Sequence, residues 1–105
     1  MSVIMTLSLA GDPKKIEEHA ASDPAGMQAI VDSAKAHGLI AHRFYGADGE
    51  IMVVDEWPDE QSFLAFFEEN GERIAPLMQA AGVTSEPQPK FWRKLETHDD
   101  YGWER

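Results

Sequence analysis

The chain has 105 residues, a formal net charge of −10 and no cysteine. That length supports one hydrophobic core and no second domain, and the lack of cysteine excludes disulfides, thiolate nucleophiles and thiolate metal sites. So acidic a surface repels nucleic acid and anionic membranes, so neither is expected as a partner.

The hydrophobic fraction of 43% is that of a chain able to pay the entropy of ordering, so disorder is not expected in its body. Met1-Ser2-Val3-Ile4-Met5 lacks the basic start of a signal peptide, and no apolar run approaches the ~20 residues that span a bilayer. A cytoplasmic location is the expectation.

In chain order, Val3 to Leu9 alternates as a strand, with Val3, Met5, Leu7 and Leu9 on one side. Asp12-Pro13 then gives a helix start, an N-cap acid followed by proline at the first helical position. Asp23-Pro24 repeats it, so a short helix from Pro13 to about Ala21 should precede a second from Pro24 to His37, ended by Gly38. Leu39 to Tyr45 reads as a strand, Gly46 to Gly49 as a turn and Glu50 to Trp57 as the third strand. Phe63, Phe66, Phe67, Ile74, Leu77, Met78 and Ala81 follow helical spacing, with a break expected at Asn70-Gly71 and a stop at Gly82. Pro87 to Leu95 is the predicted fourth strand. Residues 1–96 form the expected domain and 97–105 a polar tail.

This order predicts an α+β, ferredoxin-like βαββαβ fold, a four-stranded antiparallel sheet with its helices on one face. The other face should then alternate toward water, yet the third strand is apolar on both sides, Ile51 and Val53 against Met52 and Val54, and the fourth sets Phe91 and Leu95 against Trp92. Left bare, such a face would expose an apolar patch on the order of several hundred Å², large for a monomer. A homodimer through the open sheet face is therefore expected.

The stretch Ile51-Met52-Val53-Val54-Asp55-Glu56-Trp57, followed by Pro58-Asp59-Glu60-Gln61-Ser62-Phe63, resembles the antibiotic biosynthesis monooxygenase-like family of the dimeric α+β barrel superfamily. The resemblance covers nearly the whole chain in element order and is specific from Ile51 to Phe67. It implies a dimer whose sheets pack into a barrel and an apolar cavity between sheet and helices. Members of the family include cofactor-independent oxygenases of aromatic polyketides, haem-degrading enzymes, cyclases and isomerases. The haem-degrading branch carries an asparagine on the first strand, a tryptophan on the second helix and a later histidine. Here the first strand offers Thr6 and Ser8, the helix Phe66 or Phe67, and the stretch from Ile74 to Met78 holds no histidine. Haem degradation is not expected.

His42 stands out in mid-strand. If Asp48-Gly49 closes a two-residue turn, paired residues sum to 97 and His42 faces Asp55; a three-residue loop would put it with Glu56 instead. An imidazole oriented by a carboxylate in an apolar pocket makes a general base. His42 and Asp55 are the candidate catalytic pair, against a purely structural reading of the same pair. Phe44, Tyr45, Trp57, Phe63, Phe67 and Met78 are candidate substrate-binding residues, although a stripe at helical spacing is more often core and Trp57 more often a packing anchor. His19, His37 and His98 form no metal pattern, and there is no phosphate loop, nucleophile elbow or dinucleotide fingerprint. No cofactor and no metal are expected. The leading functional expectation is a small homodimer binding an apolar or aromatic molecule, a cofactor-independent monooxygenase. A non-catalytic ligand-binding or stress-related dimer, and a polyketide cyclase or isomerase, are the alternatives.

Overall fold

Two Asp-Pro pairs divide the first helical segment. Asp12 accepts a hydrogen bond from the Lys14 backbone N–H at 3.0 Å, and Asp23 accepts one from Gly26 at 3.0 Å, so each acid caps its own helix. The computed structural model, which describes residues 2–83 and 86–103, accordingly runs β1 (Val3–Ala10), α1 (Pro13–Ser22), α2 (Pro24–Ala36), β2 (Ala41–Ala47), β3 (Glu50–Trp57), α3 (Glu60–Ala80) and β4 (Lys90–Trp92). The sheet order is β2-β3-β1-β4, with every neighbouring pair antiparallel. This is the ferredoxin-like α+β arrangement, with α1 and α2 together filling the first helical position.

Three elements depart from the sequence expectation. Strand β2 starts at Ala41 rather than Leu39, because the Leu39 N–H is used to close α2 through Ala34 O at 3.0 Å. Helix α3 is unbroken at Asn70-Gly71. Asn70 is 1% exposed and donates to Phe66 O, one turn back, and to Ser33 Oγ on α2, both at 2.9 Å, so its amide reinforces the helix. Strand β4 shrinks to Lys90–Trp92. Pro87 and Pro89 have no N–H for a ladder, and past Trp92 the Lys94 ammonium pairs with Asp100 at 2.8 Å as the chain leaves the sheet. Leu95, expected beside Phe91, lies outside the strand and exposed.

The sheet buries one face. Met5, Leu7, Val53 and Trp57 join Ala34 of α2 and Phe63, Phe66 and Ile74 of α3 in one core cluster, and Leu9, Ile16, Ile51, Leu77 and Ala81 form a second. Gly46 lets α1 close onto the hairpin, since a Cβ there would stand 2.8 Å from Pro13 Cβ. On the opposite face Met52, Tyr45 and Trp92 are exposed, beside half-buried Ile4 and Val54. Tail residues Asp99, Asp100, Tyr101 and Trp103 lean over this side and bound a groove of about 690 Å³ with Ile4 and Val54. No helix among the described residues is long and apolar enough to cross a membrane.

Candidate functional site

The β2–β3 hairpin decides which side chains meet. Ala47 pairs with Glu50 across Asp48-Gly49, and His42 therefore pairs with Asp55. Gly49 takes φ 72°, which its missing Cβ makes cheap. Along β3 the residues Ile51, Val53, Asp55 and Trp57 alternate onto the helix side, and His42 and Phe44 share that side through the register. The pairing excludes the register that would have matched His42 with Glu56.

A short chain of hydrogen bonds results. His42 Nδ1 lies 2.6 Å from Asp55 Oδ1, and the Trp57 indole N–H donates to Asp55 Oδ2 at 3.0 Å. Asp55 is 5% exposed and Trp57 fully buried, while the His42 side chain is 27% exposed. An ionised carboxylate only accepts, so with Asp55 in that form the proton between the pair sits on Nδ1, and in the neutral imidazole Nε2 is the atom with the lone pair. The ring is steadied by an edge contact with Phe44, centroids 5.3 Å apart at 83°.

His42 and Asp55 form the polar end of an otherwise apolar cavity of about 70 Å³ between the sheet and the helices α2 and α3. Phe44, Phe63, Phe67 and Met78 line it. Phe63 stacks on Phe67 at 5.4 Å and 18°, and Phe91 of β4 meets Phe63 edge-on at 5.8 Å. Two candidate substrate-binding residues lie elsewhere. Tyr45 follows Phe44 directly in a strand and so points to the opposite face, opposite Met52, where its hydroxyl accepts from Arg43. Trp57 does not line the cavity; it sits behind Asp55, packed against Phe63 and Phe66. The sequence reading missed most of the α2 wall, Ile30, Val31 and Ala34, which joins Met27 around the cavity. Their spacing of three and four residues was visible as a helix face; that this face roofs the cavity was not.

A second polar cluster ties the roof together. Glu69 of α3 meets His37 Nε2 at 2.9 Å and accepts from Ser33 Oγ at 3.1 Å, both reaching over from the α2 end. Hydrogen bonds from His37 and Ser33, with the nearby His37 charge, hold the Glu69 carboxyl below its ordinary range. Among the described residues no group of three or more histidine or acidic side chains is placed to hold a metal ion.

No family model and no curated protein sequence matches the chain. Solved structures do match. A monooxygenase of Streptomyces coelicolor, in complex with nanaomycin D, aligns with TM-score 0.68 at 13% identity over 95% of this chain and 93% of its own. An antibiotic biosynthesis monooxygenase aligns with TM-score 0.59 at 15% identity over 91% and 100%. The chain has the fold of the antibiotic biosynthesis monooxygenases. A dimeric ferredoxin-like protein from an uncultured marine organism shares it, with TM-score 0.64 at 12% identity over 95% and 93%. Identity this low speaks for the fold alone, and a fold of this kind carries no chemistry without the side chains of its site, here His42, Asp55 and the cavity they line.

Proposed function

We propose that the protein is a homodimer that binds an apolar, aromatic small molecule and oxidises it as a cofactor-independent monooxygenase, with His42 as the general base. The observation that carries this reading is the Nδ1–Asp55 contact of 2.6 Å at the polar end of an apolar cavity. Asp55 fixes the tautomer, so Nε2 is the basic atom, and the phenolic proton of a hydroxyaromatic is the proton within its chemistry. The resulting phenolate is electron-rich and reduces dioxygen without a further reductant. One oxygen atom bonds to the ring carbon para to the hydroxyl. The other leaves as water with the phenolic proton and the hydrogen displaced from that carbon, and the ring ends as a quinone. The likeness to a monooxygenase solved with nanaomycin D supports this choice of reaction class.

The test is oxygen uptake with 1-naphthol under ¹⁸O₂. One labelled atom is expected in the quinone product, and His42→Ala should abolish turnover while leaving the oligomer intact. Full activity in that variant would remove His42 as the base. A non-catalytic ligand-binding dimer is the second reading. It is favoured by the completeness of the Trp57–Asp55–His42 network, which has the form of a structural lock as well as of a catalytic one.

The proposed dimer uses the open sheet face, where Ile4, Met52, Val54 and Trp92 share one side and the tail borders Ile4 and Val54. A second copy covers it most economically. Sedimentation should give twice the 11.7 kDa chain mass, and Val54→Asp, which buries a charge in that contact, should return the monomer.

A further inference from the structure

The inner cavity is too small for the ligand class just proposed. At about 70 Å³ it has half the roughly 150 Å³ that admits benzene in an engineered protein core. Across one side chain lies a second space. An outer groove of about 350 Å³, bounded by Pro13, Ile16, Glu17, Tyr45, Gly46 and Ile51, approaches the hairpin from the α1 side. That volume is within the roughly 300–1,000 Å³ of ordinary ligand pockets. Among the described residues, Phe44 alone borders both spaces.

We propose that the ligand site has two chambers divided by the Phe44 ring, and that this ring sets the size of hydroxyaromatic molecule that reaches His42. The proposal rests on the reading of the inner cavity as a ligand site. Four observations converge on Phe44. It is half-buried on β2, an edge strand of the sheet, where its backbone has a neighbour on one side only. It packs against both core clusters and so stands at their seam. Its ring rests edge-on against His42, so its displacement uncovers the imidazole. It has a void behind it into which to swing. The other walls lack that freedom: Phe63 and Phe66 are buried against Trp57, and Met78, although flexible, borders the inner cavity and not the groove.

The chambers differ in character, which narrows the ligand. The inner one offers thioethers, aliphatic chains and phenyl rings with an imidazole at its end, and once the Phe44 ring is displaced it takes a ring carrying a hydroxyl. The outer one carries the Glu17 carboxylate, which disfavours an anion there. The ligand class is therefore a neutral or cationic hydroxyaromatic with its ring inside and its substituent outside.

Stopped-flow absorbance with 1-naphthol on the full chain tests this, with ¹⁵N resonances of the His42 imidazole as a second readout. Phe44→Ala should raise the association rate constant on the order of tenfold, Phe44→Leu should fall between, and Leu64→Ala, on the exposed side of α3 and bordering neither space, should leave it unchanged. 5-Hydroxy-1-naphthoate, whose carboxylate lies across the ring system from the hydroxyl, should bind more weakly than 1-naphthol to every variant. Should Phe44→Ala prove unfolded by circular dichroism, Phe44→Leu carries the comparison. Equal rates in wild type and both Phe44 variants, with the imidazole resonances still moved by ligand, would overturn the gate and leave His42 in place. A faster Phe44→Ala together with full turnover in His42→Ala would keep the gate and remove the base. Binding by no variant would overturn both.

Discussion

Two donors converge on Asp55, and its buried carboxylate answers each with a separate oxygen. Asparagine in its place has one oxygen for two donors and turns an NH₂ toward one of them. Asp55→Asn is therefore expected to lower kcat by about 10²–10⁴-fold, the contribution of a positioned general base, with KM for 1-naphthol little changed; steady-state kinetics on the quinone product checks it. Trp57→Phe keeps most of the packing and deletes the N–H. It should cost about 1–3 kcal/mol in urea unfolding, the usual cost of an orphaned buried acceptor. It should also mix the His42 tautomers seen in imidazole ¹⁵N shifts, which a merely packed tryptophan would not do. The pairing of His42 with Asp55 was legible because the two-residue Asp48-Gly49 turn fixes the register by arithmetic. Neighbours in a strand face opposite ways, so Tyr45 turns from the inner cavity that Phe44 lines and borders the outer groove instead. The Trp57 hydrogen bond was half legible: residues two apart share a face, but whether an indole turns toward the acid or toward solvent is settled by Phe63 and Phe66, distant in sequence.

Between elements, the α2–α3 clasp responds to pH with a definite sign. The Glu69 carboxyl is held below its ordinary value in the folded state, so the folded chain binds that proton less readily than the unfolded chain. The stabilisation is full above the ordinary glutamate range and fades as pH falls through the folded value. Wild type should exceed Glu69→Gln in urea midpoint at pH 7, and the gap should close below about pH 4. A constant gap across that range would remove the ion pair as its source. Elements with capping acids and strict periodicity were legible from sequence, α1 and α2 above all. The ends of β4 were not, because a strand exists only where a partner ladder reaches, and Pro89 together with the departure at Lys94 limits it to three residues. Nor was the continuity of α3, since the Ser33 that helps hold Asn70 lies 37 residues away.

For the whole molecule, the proposed dimer brings together two chains that each carry a formal charge of −10. Their repulsion opposes association while apolar contact on the sheet face favours it. Dimer affinity should therefore rise as ionic strength goes from about 0.01 M to about 0.1 M, where the screening length shrinks from about 30 Å to about 10 Å. Sedimentation across that range reads it, and weakening with salt would point to an interface built on ion pairs. The open apolar sheet face was legible from strands apolar on both sides, but not the tail that borders a groove on it. The three tryptophans have sharply different surroundings: Trp57 is 0% exposed, Trp92 46% and Trp103 82%. The chain thus carries an intrinsic optical reporter of its own assembly. Acrylamide should quench the red-edge emission of Trp92 and Trp103 and spare the blue-edge emission of Trp57. Dilution through the dissociation constant should then increase only the quenchable fraction.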